Sequence, residues 1–369
     1  MKITDLQTVI VDAERGRTWL FVEVHTDEGL VGIGEASQSR FDHGVAALVK
    51  ELAPLYIGHD PLNLIEARNL LLLRPDTDRI RYAAVSGIEQ ALWDLCGKAL
   101  GVPCYQLLGG SVNDRIRVYA NISLASDGSP ADYARLASQA VSEGFTAIKL
   151  TAFSPALRPR KSASGAEFQQ AIELAVARTK AVRDAIGPAV DLLTDWSFAL
   201  SPAEARRLAE RLAECNLFWV EEPFVSDDPR LLAEFRRGLG PRLAGGEQLS
   251  GRMAFRRLLE AGALDVLMTD VKWIGGILES RKVAAMAEAY EVEIAPHNMS
   301  GPVATAASVQ LCATLSNFLI LEYCWGVVPW RAELVDGTEQ VVDGHIPLPS
   351  TPGLGINWNG RAARDHRVE

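Results

Sequence analysis

The chain opens with apolar and polar residues in alternation. Ile3 to Val11, Trp19 to His25 and Leu30 to Glu35 each read as a strand with one buried face. Thr26-Asp27-Glu28-Gly29 is a polar, hairpin-type turn between the last two, so the three predict a meander. The period then lengthens. Segments 43–56, 62–73 and 79–100 carry apolar residues at helical spacing, and Gly101-Val102-Pro103 ends the third.

From about residue 116 the two patterns alternate. Strands are predicted at Ile116 to Ala120, Ala147 to Thr151, Val190 to Asp195, Phe218 to Val220, Arg242 to Glu247, Leu264 to Asp270, Val292 to His297 and Phe318 to Glu322. Amphipathic helices such as Pro202 to Cys215 and Leu278 to Tyr290 lie between them. Eight such strands in about 210 residues predict an α/β fold, a (β/α)8 TIM-type barrel. Residues 325–369 lose the rhythm, are rich in Pro, Gly and Trp, and are expected to run back onto the N-terminal unit. The expected organisation is an α+β unit over 1–115, the barrel over 116–324 and a returning segment over 325–369.

Polar residues break the apolar strands at one place, the C-terminal end. Every predicted strand after the first ends at or near one: Lys149, Asp195, Glu221, Glu247, Asp270, His297 and Glu322. Asp195, Glu221 and Glu247 are 26 residues apart, about one strand, one helix and two loops. Taken singly, an acid there is an ordinary helix cap or loop residue. Together on one rim the acids repel, unless a cation or ligand offsets them. Three hard oxygen donors suit a divalent cation such as Mg²⁺ that keeps positions open for substrate oxygens.

Asp270 and His297 end neighbouring strands, and an Asp beside a His can fix its tautomer and raise its basicity, which suits a general base or acid. Lys149 and Thr151 alternate along one strand and share a face, which puts Lys149 roughly across the mouth from His297 if that face is the interior. Lys272 follows Asp270 by two and faces either inward or into a loop. Glu322 either hydrogen-bonds a substrate oxygen, if protonated, or anchors a loop. Arg158, Arg160 and Lys161 lie in a polar loop, 152–164, on the face where substrate-facing loops of barrels lie; as single charges they read as solvated.

Composition narrows the classes. With 369 residues, 37 Lys and Arg against 47 Asp and Glu, and a net charge of −10, the chain is unsuited to nucleic acid or an anionic membrane. No apolar run is long enough to span a bilayer, and Met1-Lys2-Ile3-Thr4-Asp5 does not begin a signal peptide. Five scattered cysteines without a CxxC pair predict buried free thiols and a reducing cytoplasm.

At these residues the chain resembles the enolase superfamily and, within it, the mandelate racemase-like group. The resemblance covers nearly the whole chain. It rests on Ser86-Gly87-Ile88-Glu89-Gln90-Ala91-Leu92-Trp93-Asp94, Gly97-Lys98-Ala99 and Leu107-Leu108-Gly109-Gly110 in the N-terminal unit. In the barrel it rests on Trp219-Val220-Glu221-Glu222-Pro223, Gly246-Glu247, Asp270 with Gly275-Gly276, and Ala295-Pro296-His297-Asn298. It implies an N-terminal capping domain and a shared first step. Mg²⁺ on Asp195, Glu221 and Glu247 binds a substrate carboxylate, a base removes the proton α to it, and Glu322 stands near the enediolate oxygen. The sequence departs from the group at Lys149-Leu150-Thr151, where members with Lys-x-Lys use the second lysine as a base. That weakens a two-base racemisation. It leaves His297 as acid/base group and Lys149 as support for the carboxylate.

The group contains many acid-sugar dehydratases, which make 2-keto-3-deoxy acids, and the chain is expected to be one. Arg158, Arg160, Lys161 and His43 are candidate contacts to distal hydroxyls or a second carboxylate. An isomerase (an epimerase, a racemase or a lactone cycloisomerase) would use the same metal site. A non-catalytic sugar-acid binder is the other alternative. The resemblance also suggests a homo-oligomer.

Overall fold

The structure is a computed structural model describing residues 1–63, 65–74, 78–153, 165–336 and 340–368. Arg158, Arg160 and Lys161 lie outside the described residues. The opening alternation becomes β1 (Ile3–Asp12), β2 (Thr18–Thr26) and β3 (Val31–Glu35), an antiparallel sheet in the order β1-β2-β3. The helical stretches become α1 (Asp42–Leu52), α2 (Ile65–Leu72) and α3 (Arg79–Leu100). The first is shorter than the predicted 43–56. Pro54 breaks the α-helical pattern, and the chain tightens into a 3₁₀ turn at Ala53–Leu55. Asp78 caps α3 by accepting from the Arg81 amide, and Gly101 ends it at φ 70°. The helix lies so close to β3 that a Cβ on Gly34 would stand 1.9 Å from the Gly87 carbonyl oxygen.

After the short α4 (Cys104–Leu107) the barrel begins. Its strands are β4 (Arg115–Asn121), β5 (Ala147–Thr151), β6 (Asp191–Asp195), β7 (Trp219–Glu221), β8 (Arg242–Gly245), β9 (Val266–Leu267), β10 (Glu293–Ile294) and β11 (Leu321–Cys324). Neighbours from β4 to β10 pair in parallel, and β11 pairs back onto β4. A parallel bridge from Ile294 to Phe318 closes the ring. The intervening helices are α5 (Pro130–Ser142), α6 (Gly165–Ile186), α7 (Pro202–Arg211), α8 (Pro229–Arg236), α9 (Arg252–Ala261), α10 (Gly276–Glu288) and α11 (Pro302–Cys312). The fold is therefore a (β/α)8 barrel with an α+β N-terminal unit.

Four strands differ from expectation by more than one residue at an end. β8 stops at Gly245, short of Glu247, where Gly246 turns the chain at φ 107°. The ladders of β9 and β10 span two residues each, although Leu264 to Asp270 and Val292 to His297 were expected. Beyond them single backbone bonds still tie the chain to its neighbours, as in His297 N–H to the Thr269 oxygen at 2.9 Å and Glu322 N–H to the Pro296 oxygen at 3.3 Å. β11 starts three residues later than expected, because Phe318 and Leu319 are used in closing the ring against Ile294. Helix α7 also stops at Arg211, short of Cys215, with a 3₁₀ turn following.

The barrel interior is filled by a buried apolar cluster: Tyr119, Ala147, Leu193, Trp219, Ala244, Met268, Ala295 and Ile320, with Val266 one level below Met268. Large and small side chains together fill the taper. Because strand side chains alternate, the residue two places on faces the same interior one level nearer the C-terminal mouth. Those residues are Asn121, Lys149, Asp195, Glu221, Asp270, His297 and Glu322. The fifth strand alone departs, with Gly246 at that level and Glu247 next to it.

The C-terminal stretch adds β12 (Val335–Asp336), β13 (His345–Pro347), β14 (Asn357–Trp358) and α12 (Gly360–Asp365). β13 pairs with β4, and the chain then returns to β1, where the Val368 amide bonds the Ile10 oxygen at 3.0 Å. Trp358 Nε1 donates to Glu23 at 2.6 Å. No helix among the described residues is long and apolar enough to cross a membrane, and all five cysteines are buried free thiols.

One carboxylate joins three parts of this frame. Asp94 accepts from Ile33 N at 3.0 Å, Leu354 N at 2.9 Å and Lys98 Nζ at 2.6 Å. Asp94→Asn turns one acceptor into a donor facing an N–H, a loss of about 2 kcal/mol. The urea midpoint is predicted to fall at unchanged slope; an unmoved midpoint contradicts the assignment.

Candidate active site

The interior level above the apolar layer carries four acids, a lysine and a histidine, all buried except the half-buried Asp195. Lys149, in the middle of β5, is the hub. Its Nζ lies 2.7 Å from Glu221 Oε1 and 2.7 Å from Glu322 Oε1, all three side chains being at most 1% exposed. Burial opposes its charge, but Glu221 and Glu322 outweigh burial and hold the ammonium well above its usual range. Glu322 shows the converse. Burial pushes its carboxyl up, yet Lys149 and His297 bring it down to about 2. Asn121 Nδ2 donates to its Oε1 and the Asn298 amide to its Oε2, both at 2.8 Å. In this arrangement Glu322 accepts on both oxygens and is not the donor that a protonated carboxyl would be.

His297 follows β10. Its Nδ1 lies 2.7 Å from Asp270 Oδ2. Burial would raise Asp270, but Lys272 and His297 bring it down to about 2. A deprotonated carboxylate can only accept, so the proton sits on Nδ1. Nε2 is thereby left facing the mouth, 3.5 Å from Glu247 Oε2 and 3.7 Å from Glu322 Oε2. Burial works against protonating the imidazole; Glu247, Glu322 and Asp270 win and raise its pKa above the usual value. Lys272 does not face the mouth. Its buried Nζ bonds Asp270 Oδ2 at 2.9 Å and Ser300 Oγ, so it braces the Asp270–His297 pair.

Asp195 and Glu221 end β6 and β7, and Glu247 follows β8 by two residues; the three strands are adjacent. Burial, then Glu247, raises Asp195 to about 6, with Lys149 opposing. Glu221 is pushed well above the carboxylate range by burial and by Asp195, Glu322 and Glu247, again against Lys149. Glu222 sits behind them, accepting from the Gly246 amide at 2.6 Å, and burial with Glu247 raises it to about 8. As placed, each candidate ligand turns to a protein partner. Asp195 accepts from Ser197 N at 2.6 Å, Glu221 from Trp219 Nε1 at 3.0 Å and Glu247 from Gln248 Nε2 at 2.9 Å. Among the described residues no three His, Cys, Asp or Glu side chains stand as a closed ligand cluster. The chemistry of the set still fits a hard divalent cation: oxygen donors from adjacent strands, whose mutual repulsion a cation would relieve.

Thr151 lies on the same face, its hydroxyl 3.5 Å from Asp195 Oδ2. His43 is exposed in the first turn of α1 and makes no hydrogen bond to the described residues of the site. Other residues join it that the sequence reading passed over. Asn121 ends β4 and obeys the same strand-end rule one residue beyond the expected boundary. Ser197 brackets Asp195. Arg79 arrives from α3, its guanidinium 4.0 Å over the Trp273 ring, donating to Gln38 Oε1 at 3.1 Å and to Gln248 Oε1. Trp273 in turn lies 5.5 Å, ring to ring, from His297. No local pattern marks Arg79, because it reaches the site from the other unit.

The frame recurs in known proteins. Residues 7–109 match the mandelate racemase / muconate lactonizing enzyme N-terminal domain, and residues 132–363 match the enolase C-terminal domain-like family. A D-galactonate dehydratase of Variovorax paradoxus is 36% identical over 96% of this chain and 92% of its own length. A D-xylonate dehydratase of Haloferax volcanii is 32% identical over 100% of this chain and 89% of its own. A mandelate racemase/muconate lactonizing enzyme structure from Sulfitobacter sp. superposes with a TM-score of 0.91 at 32% identity, covering 100% of this chain and 96% of that one. The chain belongs to the mandelate racemase-like group of the enolase superfamily.

Proposed function

We propose that this protein is a Mg²⁺-dependent acid-sugar dehydratase that converts a polyhydroxy acid to a 2-keto-3-deoxy acid. The observation that carries the reading is one side chain, His297, between Asp270 behind it and the carboxylates Glu247 and Glu322 in front. The dehydratase relatives, which act on D-galactonate and D-xylonate, support it.

Asp195, Glu221 and Glu247 would hold the cation. Bound there, Mg²⁺ supplies positive charge against the substrate carboxylate and against the charge that grows on its oxygens as the α-proton leaves. His297 Nε2, free of its proton, takes the α-proton. Asp270 holds Nδ1–H throughout and stabilises the imidazolium that forms. The same imidazolium then returns the proton to the departing β-hydroxyl, which leaves as water, and the enol product becomes the ketone. Lys149 keeps a buried positive charge beside the carboxylate end. Thr151 cannot take a proton near neutral pH, so a second base on the opposite face, as a racemase would need, is missing from the position where the group's Lys-x-Lys members carry it. The buried free thiols agree with a reducing cytoplasm.

A panel of mono- and di-acid sugars with Mg²⁺ is predicted to include one that yields a semicarbazide-reactive 2-keto acid. His297→Asn is predicted to lower that rate by about 10²-fold or more. A lactone or an epimer in place of keto acid would move the assignment to an isomerase. Chelation is predicted to abolish turnover and added Mg²⁺ to restore it; full activity in excess chelator contradicts the cation's role.

A further inference from the structure

The polar residues of Ser86-Gly87-Ile88-Glu89-Gln90-Ala91-Leu92-Trp93-Asp94 take no part in that chemistry, yet Ser86, Glu89, Gln90 and Asp94 are at most 1% exposed. Their spacing lays them along one face of α3. Three of them are bonded to the barrel backbone just after Asp270. Ser86 Oγ accepts from Gly275 N at 3.0 Å. Glu89 Oε2 accepts from Ile277 N at 2.8 Å and its Oε1 from Leu278 N at 2.9 Å, with Trp93 Nε1 also donating to Oε1 at 2.7 Å. Gln90 Nε2 donates to the Val271 oxygen at 3.1 Å.

Glu35, at the end of β3, repeats the device one helix later. Its Oε1 accepts from Gly301 N at 2.8 Å and its Oε2 from Ala304 N at 2.9 Å. Gln90 joins the two glutamates' neighbourhoods, donating to the Glu35 oxygen at 2.9 Å.

A helix start leaves up to four amides without a partner, and its dipole favours a carboxylate. Helices α5, α7 and α8 satisfy this locally, through Ser129, Ser201 and Asp228. The N-cap positions of α10 and α11 are Gly275 and Gly301, which have no side chain to cap with. These two helices follow the loops that carry Asp270 and His297. Their caps come from the N-terminal domain instead. At Gly276, φ +87°, a Cβ would stand 2.0 Å from Glu89 Oε2, so the backbone there leaves room for that carboxylate and nothing more.

We propose that Glu89 and Glu35 are positioning residues: carboxylates of the N-terminal domain that cap α10 and α11 and so fix the two loops that present Asp270 and His297 to substrate. The role rests on the reading of that pair as the acid/base group. It assigns the N-terminal domain a part in catalysis that is separate from covering the mouth. A shift of about 1 Å in a catalytic group can cost on the order of 10²-fold in rate.

The test compares Glu89→Gln and Glu35→Gln with Asp94→Asn in the full-length enzyme with Mg²⁺. Glu89→Gln and Glu35→Gln are expected to lower kcat about tenfold or more at a KM within about twofold of the parent. Asp94→Asn, on the same helix but bonded away from those loops, is expected to lose stability with kcat unchanged. Hydrogen exchange at 271–278 and 301–305 is expected to quicken in the first two variants and not in the third. If Glu89→Gln fails to fold, Gly276→Ala tests the same contact from the barrel side. Glutamate variants that lose only stability, with kcat and loop exchange unchanged, overturn the proposal. The exchange readout needs no substrate, so it decides the positioning role even if no acid sugar is turned over.

Discussion

A lysine with no access to solvent, held between two equally buried glutamates, is the interaction on which the site depends. Burying Lys149 alone would be prohibitive, and so would burying Glu221 and Glu322 without it. The contacts of 2.7 Å on each side make the three tolerable together. The offset is unequal. Glu322, which also has Asn121 and the Asn298 amide, is held at about 2, whereas Glu221, nearer Asp195 and Glu247, stays well above its usual range. One lysine therefore divides the rim into an acceptor side next to His297 and a side crowded with carboxyls that a cation would relieve.

Much of this was legible because of period two. The apolar layer of the barrel is followed, two residues later, by the site on every strand but one. Any strand whose interior residue can be recognised therefore points to its own candidate site residue. The rule names Lys149, Asp195, Glu221, Asp270, His297 and Glu322. It names Asn121 as well, once β4 is followed one residue further. It fails at Gly246, where a positive φ turns the chain and delivers Glu247 from the next position; the even 26-residue spacing from Asp195 through Glu221 supplied what alternation could not.

What could not be read locally depends on contacts between distant stretches. Whether Lys272 faces substrate or braces Asp270 is decided by Ser300, 28 residues on. Arg79 and Glu89 come from the other domain, and the reason for Gly275-Gly276 appears only when α3 lies against it. The SGIEQALWD stretch carries a family signature in its letters, but its physical content is a row of side chains spent on another domain's backbone.

The account stands or falls on His297 as the group that takes the α-proton. A sugar acid that the protein turns over, labelled with deuterium at the α-carbon, tests this directly. The parent is predicted to release the label to water. His297→Asn is predicted to release none above background while still binding Mg²⁺ and the sugar acid. Release at the parent's rate by His297→Asn would contradict the account and place the base elsewhere on the rim.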